Sequence, residues 1–125
     1  MARSRILLVD DEPDIVETVA FMLQAHNYSV SIASGGLEGI KKAKTEDPDL
    51  IFLDIMMPDM NGYDTCVKLK ADESTKHIPV IMLTAKGENA AVLKAHSIGA
   101  DDYVVKPFSL PTLLSKLKKF LGKRV

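Results

Sequence analysis

The chain has 125 residues, 46% of them hydrophobic and 26% charged, with 16 basic and 17 acidic residues for a formal net charge of -1. That suffices for one domain around a single core, is too hydrophobic for a disordered chain, and is too balanced to argue for general nucleic-acid binding. Its one cysteine, Cys66, excludes an intramolecular disulfide, and the apolar run Ile6 to Val9 is too short for a signal peptide or membrane span, so a cytoplasmic protein with no membrane partner is expected.

Arg5 to Val9 is a β-type run that ends in acid at Asp10, Asp11 and Glu12. Pro13 suits the first turn of a helix, and Ile15, Val16, Val19, Ala20, Met22 and Leu23 recur at three-to-four spacing up to a stop near His26-Asn27. Tyr28 to Ala33 is a second β-rich stretch. Ser34-Gly35-Gly36 breaks it, and Leu37, Ile40 and Ala43 mark a second helix up to Asp47-Pro48. Leu50 to Leu53 then form an apolar run that ends in the carboxylate of Asp54, before Pro58 to Gly62 turn the chain. A run this short, bounded by turn residues, reads as a strand buried on both faces. A third helix is predicted from about Gly62 to Asp72 with Tyr63, Cys66 and Val67 inward. Pro79 to Leu83 is another apolar run, ending at Thr84 and Ala85. A fourth helix, from about Glu88 to Ile98, stops at Gly99. Tyr103-Val104-Val105 ends at Lys106-Pro107, and Leu110, Leu113, Leu114, Leu117, Phe120 and Leu121 stripe a last helix with Ser109 as N-cap.

Strands alternating with helices, without linker or repeat, imply one domain over residues 1–125: an α/β, doubly wound, open parallel sheet with right-handed crossovers. Such sheets bind ligands beyond the carboxyl ends of their strands. Those ends carry Asp10 and Asp11, Asp54, Thr84 and Lys106. Like charges about 4 Å apart repel by about 4 kcal/mol at an effective dielectric of about 20, so neighbouring carboxylates need compensation. Lys106 and a hard divalent cation would supply it. Oxygen ligands without His or thiol favour magnesium over zinc, and His26, His77 and His96 share no metal spacing.

Each residue also has a plainer reading. Asp10 and Asp11 could cap the first helix, Thr84 could be a turn hydroxyl, Lys106 a solvated lysine and Tyr103 a strand aromatic. Asp101 and Asp102 read as exposed acids and Cys66 as a small core residue. Lys116, Lys118, Lys119, Lys123 and Arg124 sit in and after the last turns of the final helix, where cations complement the dipole. Convergence of separate strand ends on one rim is what favours a functional reading of the acids and Lys106.

Taken together, Leu8-Val9-Asp10-Asp11-Glu12-Pro13, Asp54 with Pro58 and Gly62, Leu83-Thr84-Ala85, and the run from Gly99 through Asp101, Asp102, Tyr103 and Lys106-Pro107 to Phe108 resemble the CheY-like receiver domain of two-component response regulators. The resemblance covers essentially the whole chain. It implies a flavodoxin-like (βα)5 sheet of strand order 2-1-3-4-5. It also implies that Asp54 is a nucleophile taking a phosphoryl group from a histidine kinase, a phosphotransfer protein or a small phosphodonor. Magnesium (Mg2+) would be held by Asp11, Asp54 and the backbone carbonyl of Met56, with Asp10 helping through water. Lys106 and Thr84 would meet the phosphoryl oxygens. Thr84 and Tyr103 would then move, remodelling the face made by the fourth helix, fifth strand and fifth helix.

The implied function is a signalling switch, catalytic only in its own phosphorylation and dephosphorylation and not an enzyme acting on external substrates. Kinases usually dock on the first helix and the loop after the fifth strand of family members. A downstream output domain or protein would read the remodelled face, through which receivers with output domains often form a homodimer. Nothing reads as a recognition helix, so no direct nucleic-acid contact is expected. Lys106-Pro107 is a cis peptide in the family. Two other functions stand beside this one. A magnesium-dependent phosphohydrolase of the haloacid dehalogenase type would carry a second Asp two residues after the nucleophile as general acid, where this chain has Met56. A flavodoxin would have a loop rich in Ser, Thr and Gly after the first strand, where this chain has Asp-Asp-Glu-Pro-Asp.

Overall fold

A computed structural model describes residues 3–84 and 98–122. In chain order these form β1 (Arg5–Val9), α1 (Pro13–Ala25), β2 (Ser29–Ala33), α2 (Gly36–Glu46), β3 (Leu50–Asp54), α3 (Gly62–Ala71), β4 (Val80–Thr84), β5 (Asp102–Val105) and α4 (Leu110–Leu121). The fourth predicted helix lies outside the described residues, so α4 is the last helix of the sequence reading. The strands pair in parallel in the order β2-β1-β3-β4-β5, as the resemblance implied.

Successive strand side chains point to opposite faces, and here both faces are covered. Ile6 and Leu8 of β1 join Leu50, Phe52, Ile81, Leu83 and Val104 beneath Val16, Val19 and Leu23 of α1 and Leu113 and Leu117 of α4. Leu7 and Val9 point the other way, joining Ile51, Leu53, Val80 and Met82 beneath Ala43 of α2 and Cys66 and Leu69 of α3. Double coverage explains why these strands read as continuous apolar runs instead of alternating ones. Every residue of β3 and β4 is buried. Asn27 (φ 69) and Asp47 (φ 48), just past α1 and α2, adopt the left-handed conformation, which Asn and Asp tolerate better than bulkier residues.

One inward assignment changes: Val67 is 47% exposed. Leu37, an apolar marker of the second helix, is 61% exposed. The buried residues are instead Gly62, Thr65, Cys66 and Leu69 on α3 and Gly36, Gly39 and Ala43 on α2. A Cβ on Gly39 would lie 2.9 Å from Val9 Cγ2, and one on Gly36 would lie 2.3 Å from Thr65 Oγ1. Close packing of α2 therefore selects small residues inside, and its one large apolar residue near the start faces out.

Of the two acids at the start of β5 expected to be exposed, Asp101 is exposed and Asp102 is not. Asp102 is buried, and its Oδ2 accepts from Lys116 Nζ at 2.9 Å and Lys119 Nζ at 3.2 Å. Burial opposes its charge, but Lys116, the Tyr103 N–H and Lys119 outweigh burial and hold the carboxyl below its usual range. Asp101 Oδ2 accepts from Lys70 Nζ and from the Val80 N–H, each at 2.8 Å. These bonds tie α3 and β4 to the entry of β5.

Candidate functional site

The register brings the strand ends to one level: Val9 lies beside Leu53, Asp54 beside Leu83, and Thr84 beside Val105. Asp10, Asp54, Thr84 and Lys106 therefore arrive together at the carboxyl rim, as the sequence reading expected. The Lys106 N–H donates to the Thr84 carbonyl at 2.7 Å, prolonging the ladder by one residue, and Lys106-Pro107 is cis. Lys106 Nζ lies 3.1 Å from Asp10 Oδ2, 3.1 Å from Asp54 Oδ1 and 3.2 Å from Glu12 Oε1. One ammonium thus serves three carboxylates.

Asp10 and Asp54 are 1% and 4% exposed. Burial is the main reason the Asp54 carboxyl is pushed up to about 6; the Asp10 charge adds to it and Lys106 opposes it. Burial also works against the charge on Lys106, but Asp54 and Asp10 prevail and raise its pKa. The oxygens of Asp10, Glu12 and Asp54 lie within 4.8 Å of one another. An all-oxygen donor set with surplus negative charge fits a hard divalent cation such as magnesium.

Other expected members are placed less centrally. Asp11 is exposed and outside that group of three, although its charge still contributes to raising Asp54. Met56 stands in the loop after β3 with 77% exposure. Thr84 is buried at the end of β4. Tyr103, beside Met82 in the register, is half-buried against the cluster under α2 and α3. Ala85 and Lys86 lie outside the described residues.

Two contributions went unassigned in the sequence. Glu12 joins the acidic group, its signal being only its place in the acidic run before Pro13. Its N–H also donates to Asp10 Oδ1 at 2.9 Å, so Asp10 supports the turn into α1 while facing Lys106. Gly62 is the second. A Cβ there would lie 2.2 Å from the Asp54 carbonyl oxygen, and its N–H donates to the Ile55 carbonyl at 2.7 Å. The first turn of α3 thus presses on the strand end that presents Asp54. A groove of about 570 Å³ opens beside the rim, between α1 and the segment after β5; Ile15, Thr18, Met22, Pro107 and Phe108 are among its lining residues.

The sequence profile of the response regulator receiver domain matches residues 6–118. The chain is 40% identical over 119 residues to the DNA-binding dual master transcriptional regulator RpaA of Synechocystis, covering 95% of this chain and 49% of RpaA. It spans about half the length of the curated relatives it matches. Among solved structures, the Vibrio cholerae chemotaxis protein CheY4 superposes with a TM-score of 0.89 at 32% identity, covering 95% of this chain and 99% of that one. The receiver domain of the sensor histidine kinase PA1611 of Pseudomonas aeruginosa, solved with a magnesium ion coordinated in its active site cleft, gives 0.90 at 29% identity, covering 98% and 100%. Among the described residues, no helix is long and apolar enough to cross a membrane.

Proposed function

The chain belongs to the response regulator receiver family, and we propose that Asp54 is its phosphoacceptor in a magnesium-dependent signalling switch. The observation that carries this is the buried Asp54 carboxylate, 3.1 Å from Lys106 and crowded by further acid. One Asp54 oxygen attacks the donor phosphorus in line. A bond forms from that oxygen to phosphorus as the bond to the donor's imidazole nitrogen or acyl oxygen breaks, the leaving group keeping its electron pair. Lys106, already held at the strand ends, pairs with a phosphoryl oxygen, and the Thr84 hydroxyl meets another. Asp11, Asp54 and the Met56 carbonyl would hold magnesium with Asp10 nearby, and when bound the ion neutralises charge on the transferring oxygens.

Asp54 must be ionised to attack, and without the metal its carboxyl is pushed up to about 6, chiefly by burial, so a cation at the site would favour the attacking form. After transfer, movement of Thr84 and Tyr103 would remodel the face of β5, α4 and the fourth predicted helix, a two-state element biased by local charge. An output domain or protein reads that face, and a second copy pairs through it. The groove beside α1 receives the histidine kinase or phosphotransfer protein: its apolar lining is bordered by Glu12 and Asp14 and ends at Lys106. Lys116 and Lys119 are paired with Asp102, which supports a receiver without direct nucleic-acid contact. We assign the whole of residues 1–125 to this cytoplasmic domain. It catalyses only its own phosphorylation and dephosphorylation, since Met56 stands where a phosphohydrolase would place its general acid.

The test is intact mass after incubation with acetyl phosphate and magnesium. One added phosphoryl group is expected, absent in Asp54→Asn and in the presence of a chelator. Folded, magnesium-replete protein that gains no mass from acetyl phosphate or from a panel of phosphorylated histidine kinases would overturn the proposal.

A further inference from the structure

Granting the phosphoacceptor reading above, we propose that Asp59 is a positioning residue of the phosphorylation site: its carboxylate clamps the loop bearing Met56 to the start of α2 and so fixes the carbonyl that would help to hold magnesium. Asp59 Oδ1 accepts the Gly36 N–H at 3.1 Å and Oδ2 accepts the Leu37 N–H at 3.1 Å. Both oxygens are therefore engaged, on adjacent donors, and the bidentate grip sets the orientation of the loop as well as its position.

The first turn of a helix has backbone N–H groups without internal partners. The N-cap of α2 is Gly35, which has no side chain to offer. A carboxylate from a loop more than twenty residues away fills that role, and negative charge is favoured at a helix N-terminus. The approach is tight. A Cβ on Gly35 would lie 2.7 Å from Asp59 Oδ1, and one on Gly36 would lie 3.1 Å from Met60 Cβ. The Leu37 and Gly36 N–H groups hold the Asp59 carboxyl below its usual range.

The start of α2 has its own support, because Glu38 Oε1 accepts the Ser34 N–H at 2.7 Å. The loop is what gains from Asp59. Its two ends are pinned, at Ile55 by the Gly62 N–H and at Asp59 by α2, with Met56 between them. Loosening the second pin would leave the Met56 carbonyl less firmly placed for a metal held by the acidic group.

The experiment measures magnesium affinity by calorimetry, and the magnesium dependence of phosphorylation by acetyl phosphate, in the wild type, Asp59→Ala and Asp59→Asn. Outer partners of metal ligands commonly tune affinity by about tenfold or more. Asp59→Ala is expected to weaken magnesium binding by about tenfold and to raise the half-saturating magnesium concentration equally, with the maximal rate restored at saturation. Asp59→Asn keeps one acceptor oxygen and should fall between the two. Folded variants with wild-type magnesium affinity, differing only in melting temperature, would reduce Asp59 to a helix cap and overturn the proposal. A wild type that binds no magnesium would overturn the phosphoacceptor reading, and this inference with it.

Discussion

The two ends of β5 handle charge in opposite ways. At its start the single carboxylate of Asp102 meets two ammonium groups, Lys116 at 2.9 Å and Lys119 at 3.2 Å, and its pKa falls. Just past its end the single ammonium of Lys106 is divided among Asp10, Glu12 and Asp54, and the Asp54 pKa rises to about 6. Asp102 at one end and Asp10 and Asp54 at the other are all buried, so depth alone does not separate them; the ratio of cations to carboxylates does. A satisfied cluster holds the fold together. A cluster short of positive charge costs stability and stands ready to take up a cation, which is the condition expected of a chemical site.

The largest test of this contrast removes Lys106, the one cation among the described residues of the rim. Lys106→Met is expected to slow phosphorylation by acetyl phosphate by about a hundredfold or more, the scale seen when a single charge-stabilising donor is lost. Time-resolved intact mass would measure it, and a rate near wild type would mean that the imbalance serves no chemistry.

Next in size is the cost of the surplus itself. The Asp54 carboxyl binds its proton more tightly in the folded protein (pKa about 6) than at its ordinary value of 3.8. Its contribution to stability therefore falls as pH rises between those values and stays low above them. Without magnesium, Asp54→Asn should be more stable than wild type at about pH 7.5, by up to about 3 kcal/mol, with the gain vanishing below about pH 4. Urea denaturation at both pH values checks this. Magnesium should narrow the gap by stabilising the folded wild type; a gap of equal size at both pH values would point to packing instead of charge.

The satisfied cluster should respond more mildly. Asp102→Asn is expected to lose about 1 kcal/mol, because the freed lysines can reach water, and Lys119→Ala about 0.5 kcal/mol or less, its side chain being 61% exposed. Chemical denaturation measures both, and neither should alter the rate of phosphorylation.

Much of this was readable in the chain because the strands are apolar runs with polar full stops. Val9 before Asp10, Leu53 before Asp54, Leu83 before Thr84 and Val105 before Lys106 announced both the sheet and its rim. What escaped reading was contact between residues distant in sequence or hidden by smallness. Asp59 is 23 residues from Gly36, and nothing in its neighbours signals that it caps another helix. Val67 looked inward because it is apolar. The inner stripes of α2 and α3 rely on Gly36, Gly39, Gly62 and Thr65, which hydropathy does not mark. Asp102 looked exposed because its neutralising lysines come from α4, on the far side of a turn.

Burial of β3 on both faces has a consequence for assembly. Leu50 and Phe52 face one cluster and Ile51 and Leu53 the other. Shifting the strand by one residue would exchange the two sets and still present hydrocarbon to both sides, so apolar pattern alone chooses the alignment weakly. Asp54 breaks the tie. A shift one way drags its carboxylate away from Lys106 into hydrocarbon, at a cost no neighbour offsets, and a shift the other way strands Leu53 at the wet edge. The polar residues at the rim thus act as a ruler, counting the strands into place as the sheet forms.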